Sequence, residues 1–218
     1  MPLHFSFVIR NFPYFLDGAV VTVELSVLTI CIALVWGLVV ALVRLSRYRM
    51  LRSLAGGYIQ LVRNTPVLVQ MYFIYFGFAM AGFGLSGFLS GLLALALQNG
   101  AYVAEIYRGG LQSISSKQIE GARALGMTRW LTLRLVVLPQ AIARVIPALG
   151  NQFILIIKDT SLVSAIAVGD LTQAGKLLSE RTAATYEIFF TLAAFYLVMT
   201  SIVTGMLRLY ERRVAIFL

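Results

Sequence analysis

The chain has 218 residues, 60% of them hydrophobic and 12% charged, with mean hydropathy +0.87 and a formal net charge of +9. A soluble domain carries about 45–50% apolar and about 25% charged residues, so there is too little polar surface here for a water-soluble globule, and the sequence reads as one all-α integral membrane domain. A single cysteine, Cys31, and a single histidine, His4, exclude a disulfide framework, a His/Cys metal site and a His-dependent triad. No aromatic and basic residues interleave in a patch, so the net charge does not point to nucleic acid.

The first segment, residues 1–18, is aromatic-rich over 5–16 and too short to cross, which predicts an interfacial stretch. Its start lacks the basic region of a cleavable signal peptide. The first span is predicted over 19–43, where residues 25–43 are free of charge and long enough to cross ~30 Å of hydrocarbon as a helix. A charge-free stretch between Arg63 and Glu105 is interrupted by the turn-rich Ala81-Gly82-Phe83-Gly84-Leu85-Ser86-Gly87, which divides it into spans near 67–80 and 88–104. A fourth span over 140–157 is interrupted by Arg144, and a fifth, 188–207, is clean. Pro66 and Pro139 suit helix starts, where a missing N–H costs nothing, whereas Pro147 is expected to kink the fourth span.

Charge orders these spans. Net charge is −1 over residues 1–24, +5 over 44–63, +4 over 105–144, −1 over 158–187 and +2 over 208–213. The alternation predicts an N terminus outside the cell, five crossings and a cytoplasmic C terminus. Residues 1–18 are then periplasmic, 19–213 form the transmembrane domain, and 214–218 are a cytoplasmic tail.

The long loop 113–138 carries the most information. Ser115 with Gln118 three residues on is a capping-box pattern, and Ile119, Ala122 and Leu125 make a narrow apolar stripe beside Lys117, Gln118, Glu120 and Arg123. Gly126 is placed to end that helix and Thr128 to cap a second one, 129–138, ahead of Pro139. Periodicity leaves open whether such a helix lies on the membrane or docks in a partner's groove.

The run Glu120-Gly121-Ala122-Arg123-Ala124-Leu125-Gly126, followed by Val136-Val137-Leu138-Pro139, resembles the EAA loop of binding-protein-dependent ABC importer permeases. The family pattern is E-A-A, three residues, Gly, nine residues, I-x-L-P. Its spacing is kept, with Gly121 in place of Ala and Val136 in place of Ile. Arg63-Asn64-Thr65-Pro66-Val67-Leu68-Val69-Gln70 is similar to a segment of the polar amino acid permeases (histidine, glutamate/aspartate, glutamine and arginine systems). So are Asn99-Gly100-Ala101-Tyr102-Val103-Ala104-Glu105, Leu149-Gly150-Asn151-Gln152-Phe153 and Lys158-Asp159-Thr160-Ser161-Leu162-Val163.

The resemblance implies a type I ABC importer permease with a five-helix core and a cytoplasmic coupling helix, multi-pass in the bacterial inner membrane. It also implies a second permease copy or a related permease, a cytoplasmic ABC ATPase dimer, and a periplasmic or lipid-anchored amino-acid-binding protein. ATPase coupling falls to Glu120, Gly121, Ala122, Arg123 and Gly126. The chain has no G-x-x-x-x-G-K-[ST] phosphate loop, so ATP and Mg are expected on the partner ATPase, no cofactor on this chain, and the chain is not itself an enzyme. The alternatives are a secondary transporter, against which the lack of an internal repeat argues, and an ABC importer of another small polar solute.

Polar residues inside the membrane are costly and mark transport paths by default. Gln98, Tyr102 and Glu105 share one face of the third span. On the fourth, Gln152 and Asp159 are seven apart, as are Arg144, Asn151 and Lys158. Asn99, Glu105, Asn151, Gln152 and Asp159 are therefore candidates to line the path of a zwitterion. Against this, Glu105 can pair with Arg108 one turn on, and Asn99, Asn151 and Gln152 can bond between helices.

Overall fold

A computed structural model describes residues 6–182 and 184–214, with side chains described for 8–182 and 184–210, and its regular structure there is entirely helical. A short helix α1 (Ser6–Arg10) leads into α2 (Phe12–Arg44), followed by α3 (Arg49–Arg63) and α4 (Val67–Met80). Then come α5 (Gly87–Gln112), α6 (Ser116–Ala124) and α7 (residues 129–159), which runs into a 3-10 turn, Thr160–Ile166. The last two are α8 (Leu171–Thr182) and α9 (Thr185–Val214).

The chain folds around the pairing of α2 with α5. Buried positions on α2 (Thr22, Leu25, Ser26, Thr29, Ala33, Gly37, Val40, Ala41) recur every three or four residues and form one stripe. Small residues let the helices close in: a Cβ on Gly37 would lie 2.6 Å from Val103, and one on Gly100 2.6 Å from Trp36. Gly87 and Gly91 do the same work against the Thr160–Ile166 turn, where a Cβ on Gly91 would meet Val163 at 2.9 Å. That G-x-x-x-G therefore packs within the chain.

Among the described residues, four helices are long and apolar enough to cross a membrane: Phe12–Arg44, Gly87–Gln112, Arg129–Ile166 and Thr185–Tyr210. The second expected span, α4, is an apolar helix of only 14 residues, Val67–Met80, and reaches about 21 Å, short of ~30 Å of hydrocarbon. The shortfall has a cause. Val67 and Met71 of α4 pack with Leu92 and Leu95, while Ile59 and Val62 of α3 pack with Ala101 and Ala104. The break at 64–66 therefore lies opposite residues 95–101, near the middle of α5, and α3 with α4 forms one interrupted helix.

The structure refines two expectations. The helix that carries the first span begins at Phe12, so residues 12–18 are its opening turns, with Pro13 in the first turn where its missing N–H is harmless. Residues 1–5, including His4, and residues 215–218 of the expected tail lie outside the described residues. Pro139 stands, as expected, in the first turn of the regular α-helix that begins at Leu138, but it does not cut that helix off from the residues before it: α7 runs through by way of a wide turn, Leu133–Val137, in which the Leu138 N–H donates to the carbonyl of Leu133, five residues back. The wide turn takes up a proline that lacks an N–H, and the Gln140 side-chain amide donates to the Val136 carbonyl at 2.8 Å.

Candidate coupling helix and polar path

The loop between α5 and α7 folds as a compact projection. Ser115 caps α6, its hydroxyl accepting from the Lys117 N–H at 3.3 Å; the reciprocal bond from Gln118 expected of a capping box is not formed. At the other end Gly126 takes the left-handed conformation, φ +81°, that glycine adopts without strain. The Gly126 N–H bonds to Arg123 O at 2.9 Å and the Met127 N–H to Ala122 O at 3.2 Å, which together close the helix as a Schellman motif. Thr128 caps the following turn by accepting from the Leu131 N–H at 3.3 Å. Arg144 of α7 donates to the Ser113 carbonyl at the end of α5, tying the loop shut at its base.

On α6, only Ala122 is buried. Glu120, Gly121, Arg123 and Gly126 are exposed, with Leu125 85% and Trp130 66% exposed beside them. No heavy atom lies within 4 Å of a Cβ placed on Gly121, so nothing in this chain requires glycine there. The projection thus presents a charged and apolar face with little of its own chain against it.

The five polar path candidates divide. Asn99, 1% exposed, donates to Leu95 O at 2.8 Å and accepts from the Gln152 amide at 2.6 Å, so these two residues satisfy one another between α5 and α7. Glu105 is held by Arg108 through two bonds, 2.9 and 2.6 Å. Asn151 is exposed and Asp159 half-buried, and neither makes a hydrogen bond or ion pair among the described residues. Asp159 sits at the end of α7, where the helix tightens into the 3-10 turn.

A polar pocket that sequence reasoning did not assemble lies beside them. Gln60, Arg63 and Asn64 at the end of α3 and Tyr102 of α5 line a cavity of about 260 Å³, with Ile59 as its apolar wall. The Arg63 guanidinium stands 4.9 Å over the Tyr102 ring, a cation–π arrangement. One turn before Tyr102, the side-chain oxygen of Gln98 is buried without a partner among the described residues. The helix break builds this pocket. Thr65 Oγ1 bonds back to Leu61 O at 2.9 Å, Pro66 starts α4, and the Gln70 amide reaches back to Val62 O at 2.9 Å and Thr65 Oγ1 at 2.7 Å. The motif 63–70 is thus a self-capped interruption. Its signal in sequence was Thr-Pro followed by Gln inside an apolar stretch.

A second cluster also went unread. Asp170, fully buried, accepts from the Thr172 and Gln173 N–H groups at 3.0 Å each and caps α8. Tyr196 of α9 donates to Asp170 at 3.4 Å, and Thr22 of α2 accepts from the Leu171 N–H at 3.1 Å. Burial pushes the Asp170 carboxyl above its ordinary value, against the lowering effect of those two N–H donors.

The chain is thus a helical membrane domain whose exposed projection offers a surface to a partner. Residues 33–216 match the family model described as binding-protein-dependent transport system inner membrane component, and the chain belongs to that family. It is 42% identical over 214 residues to the nopaline transport system permease protein NocM of Agrobacterium fabrum, covering 94% of this chain and 89% of that protein. It is 38% identical over 206 residues to the glutamine transport system permease protein GlnP of Escherichia coli, covering 94% of each.

Among solved structures, the chain superposes on an amino acid ABC transporter crystallised with histidines, with TM-score 0.93 and 38% identity over 98% of this chain and 100% of that one. An inward-facing MetNI methionine transporter shares the fold, with TM-score 0.78 and 18% identity over 94% of this chain and 98% of that one. The chain is therefore a type I ABC importer permease, a membrane component and not an enzyme, and the secondary-transporter alternative falls away. Membership places nucleotide binding on a separate ATPase subunit and implies a binding protein as a further partner.

Proposed function

We propose that this chain carries polar amino acids inward through the bacterial inner membrane, with its N terminus outside, α6 in the cytoplasm, and two permeases joined to an ATPase dimer that binds ATP and Mg. The whole-chain match to the amino acid ABC transporter carries this reading. The nopaline and glutamine permeases support the substrate class, a zwitterion with a polar side chain.

In this reading Glu120 and Arg123 meet the ATPase groove, and Ala122 and Gly126 keep α6 short and sharply ended. Closing of the ATPase on nucleotide moves the docked projections, and the helices reopen outward. Arg63 supplies a cation for the substrate carboxylate in the pocket by the helix break, and Asp159, unpartnered and seven residues past Gln152 towards the other end of the bundle, receives the ammonium group at a separate point on the path. Asn99, Gln152 and Glu105, already bonded within the chain, hold the walls, and Asn151 adds an amide to the lining.

The test is charge reversal. Glu120→Lys should lower co-purification of the ATPase and ATP-dependent uptake together, while the permease still inserts. Undiminished ATPase recovery and uptake would remove α6 from the coupling interface.

A further inference from the structure

We propose that the elbow between α2 and α3 binds the anionic head groups of the surrounding lipid. Residues 25–104 contain no Asp or Glu, yet Arg44, Arg47, Arg49 and Arg52 cluster where α2 leaves its apolar span. The only ion pair among the described residues is Arg108 with Glu105; Arg44 feels the Glu105 charge at longer range, and Arg47, Arg49 and Arg52 have no carboxylate partner there.

One of them is committed to structure. Arg44 donates to the Arg52 carbonyl at 3.0 Å and lies over Gly56, where a Cβ would approach its guanidinium to 3.0 Å. The other three are exposed, and Arg47 is steadied by Tyr48, donating to its hydroxyl at 2.9 Å and standing 4.9 Å from its ring.

The same surface exposes apolar side chains. Met50 is 75%, Leu54 60% and Leu51 42% exposed, interleaved with Arg49 and Arg52 on the first turns of α3. Arginines with no counter-charge beside uncovered apolar groups suit neither water alone nor hydrocarbon alone. They suit the boundary between them, where guanidinium groups reach phosphates while methionine and leucine enter the acyl region. Position settles the neighbour: the cluster ends a 33-residue helix that contains a membrane span, so lipid head groups lie against it in any orientation of the chain. The inference thus depends on neither the substrate nor the sidedness proposed above.

Each basic side chain near an anionic surface is worth about a fivefold preference, so three together give on the order of a hundredfold. The test uses the permease, with its ATPase where that co-purifies, taken from mixed vesicles holding a minority of phosphatidylglycerol in phosphatidylcholine. Lipids retained after mild detergent extraction are counted by native mass spectrometry. The unaltered chain should keep phosphatidylglycerol in preference, R47Q/R49Q/R52Q should lose that preference, and R47K/R49K/R52K should largely keep it. Three results would overturn the proposal: no preference in the unaltered chain, a preference surviving in the glutamine variant, or its equal loss in both variants. A glutamine variant that sheds its ATPase yet keeps its phosphatidylglycerol would assign the elbow to a protein partner instead.

Discussion

Asn99 and Gln152 are paired in the interior, whereas Asp159, on the same helix as Gln152, has no partner among the described residues. The two situations predict opposite outcomes. Asn99→Ala strands a buried amide, at a cost of about 1–3 kcal/mol, so thermal stability of the complex should fall while uptake affinity in the surviving protein stays the same. A changed affinity at unchanged stability would move Asn99 into the path. Asp159→Asn keeps shape and some hydrogen bonding and removes charge. A charge-assisted bond is worth about 1.5–3 kcal/mol against about 0.5–1.5 for a neutral one, so apparent uptake affinity should drop ~5- to 30-fold with little change in stability. Normal affinity with a destabilised complex would make Asp159 part of the scaffold.

Among elements, the interruption between α3 and α4 and the capped start of α8 show how polar residues in apolar surroundings organise this fold. At the first, Thr65, Pro66 and Gln70 satisfy the backbone groups that a break would strand in hydrocarbon, and a polar pocket results. At the second, Asp170 fastens α8 through its own N–H groups and Tyr196. Asp170→Ala removes both cap bonds and should cost about 0.5–2 kcal/mol, read as a lower melting temperature. Acidification gives a signed test. Because the folded carboxyl is raised above 3.8, the folded state takes up the proton first; its contribution is complete below the unfolded value and is lost as pH rises through the folded one. Relative to Asp170→Asn, the unaltered protein should therefore gain stability as pH falls from neutral towards 4. A relative loss would show that the N–H donors outweigh burial.

At the scale of the whole molecule, long apolar runs made the spans legible, and Ser115 and Gly126 marked the two ends of α6, with Thr128 marking the start of the turn that follows. What was not legible arose from contacts distant in sequence. The break at 65–70 has a local signal in Thr-Pro followed by Gln, but nothing local announces that Arg63 will stand over Tyr102, or that a wide turn will lead α7 past Pro139. That helix α2 already begins at Phe12 was not legible because residues 5–16 read as an aromatic-rich stretch too short to cross, although a helix longer than the bilayer is thick can carry such residues at its end. Charge asymmetry remains the one global statement that sequence makes about sidedness, and it can be read directly. Gly84, exposed in the turn between α4 and α5, and Ser116, exposed at the start of α6, occupy loops at opposite ends of α5. With Cys31 replaced by Ser, a cysteine at Gly84 should react with an impermeant thiol reagent added outside intact cells. One at Ser116 should react only after the membrane is opened, because the loop that holds it carries the net positive charge retained in the cytoplasm. Labelling at Ser116 but not at Gly84 in intact cells would invert the molecule, and α6 would then face away from any cytoplasmic ATPase.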